Sequence, residues 1–132
     1  PIDLEKEFHS EYVQKLRNIL SNISNNDFIF KNSEGNLLKE NDFKKAFKKY
    51  CGEEFYPHIV RSYIATEKAK EFLNRRKSAT KNEIKNLFLS IASELGHKRF
   101  DKKEGEWKDS FNVTIHHYIQ PDLVEKIQKL SE

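Results

Sequence analysis

The sequence predicts a mainly α-helical protein, and three observations carry that expectation. Apolar residues recur at three- and four-residue spacing in several separate stretches. Gly and Pro stand at the ends of those stretches and not inside them. The strand-like signal is confined to one short run, Asp27-Phe28-Ile29-Phe30, followed by the turn cluster Asn32-Ser33-Glu34-Gly35-Asn36.

The first helix is expected from about Phe8 to Ile23, with Phe8, Tyr12, Leu16, Ile19, Leu20 and Ile23 on one face, and Asn and Ser ending it. Asn41 or Asp42 is a suitable cap for the next, which would turn Phe43, Ala46, Phe47 and Tyr50 inward and Lys44, Lys45, Lys48 and Lys49 outward, with Gly52 as its stop. Pro57 fits a first helical position, and His58 to about Lys77 contains neither Gly nor Pro, which predicts one long helix. From about Asn82 to Leu95 the pattern Ile84, Leu87, Phe88, Ile91, Ala92, Leu95 is helical and stops at Gly96. Lys98 to Ser110 is polar and charged and reads as a loop, with Trp107 expected to anchor it to the core. Asn112 to Ile119 follows, and Pro121 opens a last helix carrying Leu123, Val124, Ile127 and Leu130. No internal repeat or low-complexity tract interrupts the series, so residues 1–132 are expected to form a single domain.

Composition narrows the function classes without selecting one. A hydrophobic share of 36% against 34% charged residues, arranged in periodic stripes, describes a folded, charge-coated chain. Lys and Arg outnumber Asp and Glu by 24 to 21, a net charge of +3 that permits a polyanionic partner but does not demand one. The single Cys51 cannot form an internal disulfide and cannot complete a four-ligand Cys/His zinc site, so a reducing, intracellular compartment is expected. No stretch has the length and apolarity of a membrane span, and the amino end lacks the order of a signal peptide. The first residue is Pro1, which reads as a chain cut from something longer.

Three short stretches bear groups suited to chemistry. Pro57-His58-Ile59-Val60-Arg61 places an imidazole and a guanidinium three apart on one helical face, at an amino-terminal turn where free backbone N–H groups favour an anion. The alternative for such a pair is a surface Arg beside a capping-region His. Leu95-Gly96-His97 puts a His just past a helix end, where a cation near the negative end of the helix dipole is commonplace. Tyr118, in His116-His117-Tyr118-Ile119, is by itself as compatible with a packed aromatic as with a nucleophile.

Order and context connect them. His58-Ile59-Val60-Arg61-Ser62-Tyr63-Ile64-Ala65-Thr66 resembles the His-x-x-Arg box of the phage-integrase family of tyrosine recombinases, including the Ala-Thr that follows it. Ile91 to His97 resembles that family's box ending in Leu-Gly-His, and Tyr118-Ile119 before Pro121 resembles its nucleophile box. Upstream, Pro1-Ile2-Asp3-Leu4 with the helix after it resembles the segment following the family's central β-hairpin, and Phe28-Ile29-Phe30 with Ser33 to Leu38 resembles its Leu-Phe…Gly…Leu stretch. The resemblance spans essentially the whole chain. It implies the carboxy-terminal part of an integrase-like catalytic core, lacking most of the β-sheet region, in an enzyme that acts on double-stranded DNA as a homo-oligomer; the apolar face of the last helix, Pro121 to Leu130, either packs on its own domain or, as the resemblance implies, docks on a neighbouring protomer.

The chemistry implied is attack of the Tyr118 hydroxyl on a DNA phosphate, giving a 3′-phosphotyrosyl link and a free 5′-hydroxyl, without metal or other cofactor. Arg61 would hold the charge gathered in the transition state, His58 would hydrogen-bond the phosphate and manage the nucleophile's proton, and His97 would donate to a non-bridging oxygen. The family uses a further Arg and a hairpin Lys, both from positions before Pro1, so the isolated chain is expected to be nearly inactive. His97 and Tyr118 stand farther apart than in the family, with Arg99 to Asn112 resembling an insertion whose cations, Lys98, Arg99, Lys102, Lys103 and Lys108, either meet phosphates or are balanced by Asp101, Glu104, Glu106 and Asp109. Type IB topoisomerases share the fold and nucleophile but generally carry Lys where His58 stands, and telomere resolution would use the same residues. A non-catalytic DNA-binding module with the same fold is the reading from a different class.

Overall fold

The computed structural model describes residues Glu5 to Glu132; the Pro1-Ile2-Asp3-Leu4 part of the resemblance lies outside the described residues. The chain is mainly helical, with helices α1 (Ser10–Leu20), α2 (Glu40–Cys51), α3 (Pro57–Arg75), α4 (Lys81–Leu95), α5 (Asn112–His117) and α6 (Pro121–Lys129), and strands β1 (Lys98–Asp101) and β2 (Glu106–Asp109) between α4 and α5. The chain's internal contacts fall into two compact units, with the division in the chain between Tyr56 and Pro57.

The first unit holds α1 and α2. α1 is shorter than its apolar pattern: Ser21 caps it, and of the six expected face residues only Leu16 and Ile23 are partly covered, while Phe8, Tyr12, Ile19 and Leu20 are exposed. The Phe28–Phe30 stretch forms no strand, only the isolated bridge Lys31↔Leu37 around the Gly35 turn. α2 starts earlier than expected, because Asp42 sits inside the first turn and accepts from the Lys39 amide at 2.9 Å; Asn41 and Asp42 are therefore first-turn residues and not caps. Phe43 and Phe47 are half-buried and stack at 4.7 Å, with Phe55 edge-on to Phe47 at 5.8 Å. Ala46 and Tyr50, expected inward, are exposed. Gly52 ends the helix at φ 83°, the left-handed conformation glycine adopts without strain.

The second unit contains the core. Ala65 and Ala69 of α3 are one helical turn apart and completely buried, and their small side chains let α4 and α6 approach α3 closely. Ile84, Phe88, Ile91 and Leu95 line the inward stripe of α4, and Ile119, Leu123 and Ile127 close the core from the α5–α6 side. α4 is held at its start by Thr80 and Glu83, whose side chain accepts from the Thr80 amide at 2.8 Å while the Thr80 hydroxyl accepts from the Glu83 amide at 3.2 Å. Arg76 pairs with the same carboxylate, and these donors together draw the Glu83 pKa down to about 2. The carbonyl of Leu130 accepts from the Ala79 amide at 2.9 Å, tying the end of α6 to the start of α4. The apolar face of α6 is thus occupied by its own unit: Leu123 and Ile127 are buried there without a neighbouring protomer.

The segment expected as a loop is a β-hairpin. Lys98 pairs with Asp109, Arg99 with Lys108, Phe100 with Trp107 and Asp101 with Glu106. Asp101 builds the turn by accepting from the Lys103 amide at 2.9 Å, and Gly105 completes it at φ 69°. Trp107 does not anchor to the core; it stays exposed and packs edge-on against Phe100 at 5.5 Å. Lys108 is surrounded by Asp101, Glu104 and Glu106, so part of the hairpin's charge is cancelled within the hairpin.

Candidate active site

The second unit brings His58, Arg61, His97 and Tyr118 to one place. α3 supplies the first two, three residues apart and therefore on one face of its opening turns. α4 supplies the third through its stop: Gly96 adopts φ 71°, and the turn it makes carries His97 back over the helix end, where the His97 amide donates to the Ala92 carbonyl at 2.8 Å. Tyr118 is the residue at which α5 ends. Its amide donates to the Thr114 carbonyl at 3.1 Å and its carbonyl accepts from the Thr66 hydroxyl at 3.4 Å, while the adjacent Ile119 is sunk in the core.

The half-buried Tyr118 ring lies within 4.6 Å of the His58 ring and 4.5 Å of the His97 ring, centroid to centroid, and the Arg61 guanidinium carbon is 5.6 Å from the ring centre. The four residue types that the boxes single out are therefore neighbours. The hairpin does not separate His97 from Tyr118, because its two strands return the chain to its starting point: the Ser110 amide donates to the His97 carbonyl at 2.9 Å. The long intervening segment is accommodated as an excursion.

Arg61 is the most constrained member. Its Nη2 donates to the Leu95 carbonyl at the end of α4 and lies 3.3 Å from His97 Nε2. Its Nη1 and Nε have no hydrogen bond among the described residues, and no buried side-chain N or O lacks a partner, so these N–H groups reach solvent. His97 is half-buried, and the loss of hydration together with the nearby Arg61 charge holds its imidazole below the ordinary histidine range. His58 is exposed.

Two threonines belong to the site and were not singled out from the sequence as participants. Thr114 is completely buried, with its hydroxyl 2.7 Å from His97 Nδ1, and Thr66, part of the Ala-Thr after the His-x-x-Arg box, tethers Tyr118. The signal for Thr114 was its place four residues before Tyr118, one helical turn away. His116 and His117, flanking the tyrosine, are exposed at the end of α5, and among the described residues no three His, Cys, Asp or Glu side chains converge as a metal site. A guanidinium with unused N–H groups, a half-buried imidazole held below its ordinary range and a second, accessible imidazole around one phenol make an arrangement able to receive an anion and to move a proton beside it. No protein-family model matches the chain, and no curated protein or solved structure matches it either.

Proposed function

We propose that this chain carries the nucleophile part of a DNA strand-transfer site of the tyrosine-recombinase type. The observation that supports it is the convergence of His58 and Arg61 from α3, and of His97 from the end of α4, on the Tyr118 ring. In the proposed step the Tyr118 oxygen bonds to phosphorus and the bond from phosphorus to the 5′ oxygen breaks. The phenol proton leaves and the departing 5′ oxygen gains one. His58 is the accessible base for the first transfer, and the free N–H groups of Arg61 face the negative charge on the non-bridging oxygens. The phosphotyrosyl link retains the energy of the broken bond, so a 5′-hydroxyl reverses the step and rejoins DNA. His58, where type IB topoisomerases generally carry Lys, favours a recombinase or integrase over a topoisomerase.

Nicked duplexes that lose their 5′ leaving strand on cleavage test this reading, incubated for hours with excess protein and resolved on a denaturing gel. The expected outcome is a slow covalent adduct, and Tyr118→Phe should abolish it. An adduct that survives Tyr118→Phe refutes the assignment of the nucleophile. DNA binding with no adduct, in protein that also contains the further Arg and Lys, would make this a DNA-binding module with the same fold.

A further inference from the structure

We propose that Thr114 and His97 form a positioning relay for Arg61: Thr114 holds His97 as the Nδ1–H tautomer, and the bare Nε2 accepts from Arg61 and orients its guanidinium. The relay's effect on a bound phosphate rests on the reading of Arg61 given above; the relay itself does not.

The argument is one of donor and acceptor inventory. A guanidinium has only N–H donors, so the 3.3 Å approach of Arg61 Nη2 to His97 Nε2 is a hydrogen bond only when that nitrogen bears no proton. A neutral ring with a bare Nε2 carries its proton on Nδ1. The atom next to Nδ1, at 2.7 Å, is the Thr114 hydroxyl oxygen, which accepts. Thr114 is completely buried, so no water competes for that oxygen. The Leu95 carbonyl takes the other Nη2 hydrogen. Both hydrogens of Nη2 are thereby committed to the end of α4, and Nη1 and Nε remain for an incoming anion. Of the charged or titratable groups in contact with the imidazole, Arg61 comes from α3 and Tyr118 from the end of α5. The hydrogen-bond partners of the ring are the Arg61 guanidinium and the Thr114 hydroxyl, and a second positive charge on the ring would stand directly against that of Arg61. A neutral His97 follows, in keeping with its burial and its cationic neighbour. The resemblance makes His97 a donor to a phosphate oxygen, and Nε2 cannot do that while it accepts from Arg61.

The tautomer is directly measurable. In protein labelled with ¹⁵N-histidine, long-range ¹H–¹⁵N correlation at pH 8 distinguishes a protonated Nδ1 from a protonated Nε2, and His97→Gln assigns the signals. The expected result is a proton on Nδ1 in the unsubstituted chain and in Thr114→Ser, which keeps the hydroxyl, and its loss in favour of Nε2–H in Thr114→Val. Inorganic phosphate, titrated by ³¹P line shape, should bind about five- to tenfold more weakly to Thr114→Val and unchanged to Thr114→Ser, the size of one lost hydrogen bond. A proton on Nε2 in the unsubstituted chain overturns the relay, and this measurement decides even if Thr114→Val fails to fold. A proton on Nδ1 that Thr114→Val displaces, with no phosphate bound by any form, supports the relay and counts against Arg61 as a phosphate holder.

Discussion

Replacing Ile127 by Ala removes three carbon atoms from a side chain with 0% exposure, at the point where α6 meets α3 and α4. Burial of each carbon contributes ~0.8 kcal/mol, which gives ~2.4 kcal/mol for the lost transfer. A cavity of roughly 75 Å³ at ~24 cal/mol per Å³ adds ~1.8 kcal/mol, for a loss of ~4 kcal/mol. Since small domains are stable by only ~5–15 kcal/mol, the substitution should remove roughly a quarter to four fifths of the stability of the second unit. Urea unfolding followed by far-ultraviolet circular dichroism, at two protein concentrations a factor of ten apart, measures this. The expected outcome is a loss of ~4 kcal/mol with midpoints independent of concentration, because Ile127 fills the core of its own unit. A parent whose midpoint rises with concentration, combined with a loss below ~1 kcal/mol in the variant, would refute this. It would mean that α6 exchanges its packing for that of a neighbouring chain.

Arg61→Lys keeps the charge but gathers all donors on one nitrogen, whereas the guanidinium bonds the Leu95 carbonyl and His97 through Nη2 and keeps Nη1 and Nε for a phosphate. Covalent adduct formation on the nicked duplex should fall ~10²–10³-fold, with the far-ultraviolet spectrum unchanged. The Glu83 carboxylate, drawn from 4.5 to about 2 in the folded chain, contributes stability that is fully present above pH 4.5 and is lost as the pH falls towards 2. Acid titration of the unfolding free energy should show this limb, and Glu83→Gln should flatten it while lowering stability at pH 7.

The helical layout was legible because it rests on local physics. Gly52 and Gly96 stop α2 and α4 in the left-handed conformation, and Pro57 and Pro121 open α3 and α6, each at its expected place. The hairpin was not legible. Its strands carry charges where an alternating apolar pattern would signal them, and they are held by cross-strand partners such as Phe100 and Trp107, whose pairing depends on a turn built by Asp101. The first helix illustrates the converse, since its apolar stripe is a true periodicity whose residues stay largely uncovered among the described residues.

At the site, the sequence by itself determined which side chains were candidates: the resemblance of three short stretches to a family's boxes singles out His58, Arg61, His97 and Tyr118, and helical spacing sets the first two on one face. Only the tertiary structure decided that the four meet, that the long segment between His97 and Tyr118 folds out of the way, and that a buried threonine stands behind His97. The reason is physical. Spacing along a helix is fixed by backbone geometry and can be read locally, whereas a hydrogen bond between α5 and the end of α4 depends on how Ala65, Ala69, Phe88 and Ile127 let the helices pack. The tautomer of His97, and with it the direction in which Arg61 points, is set by that packing.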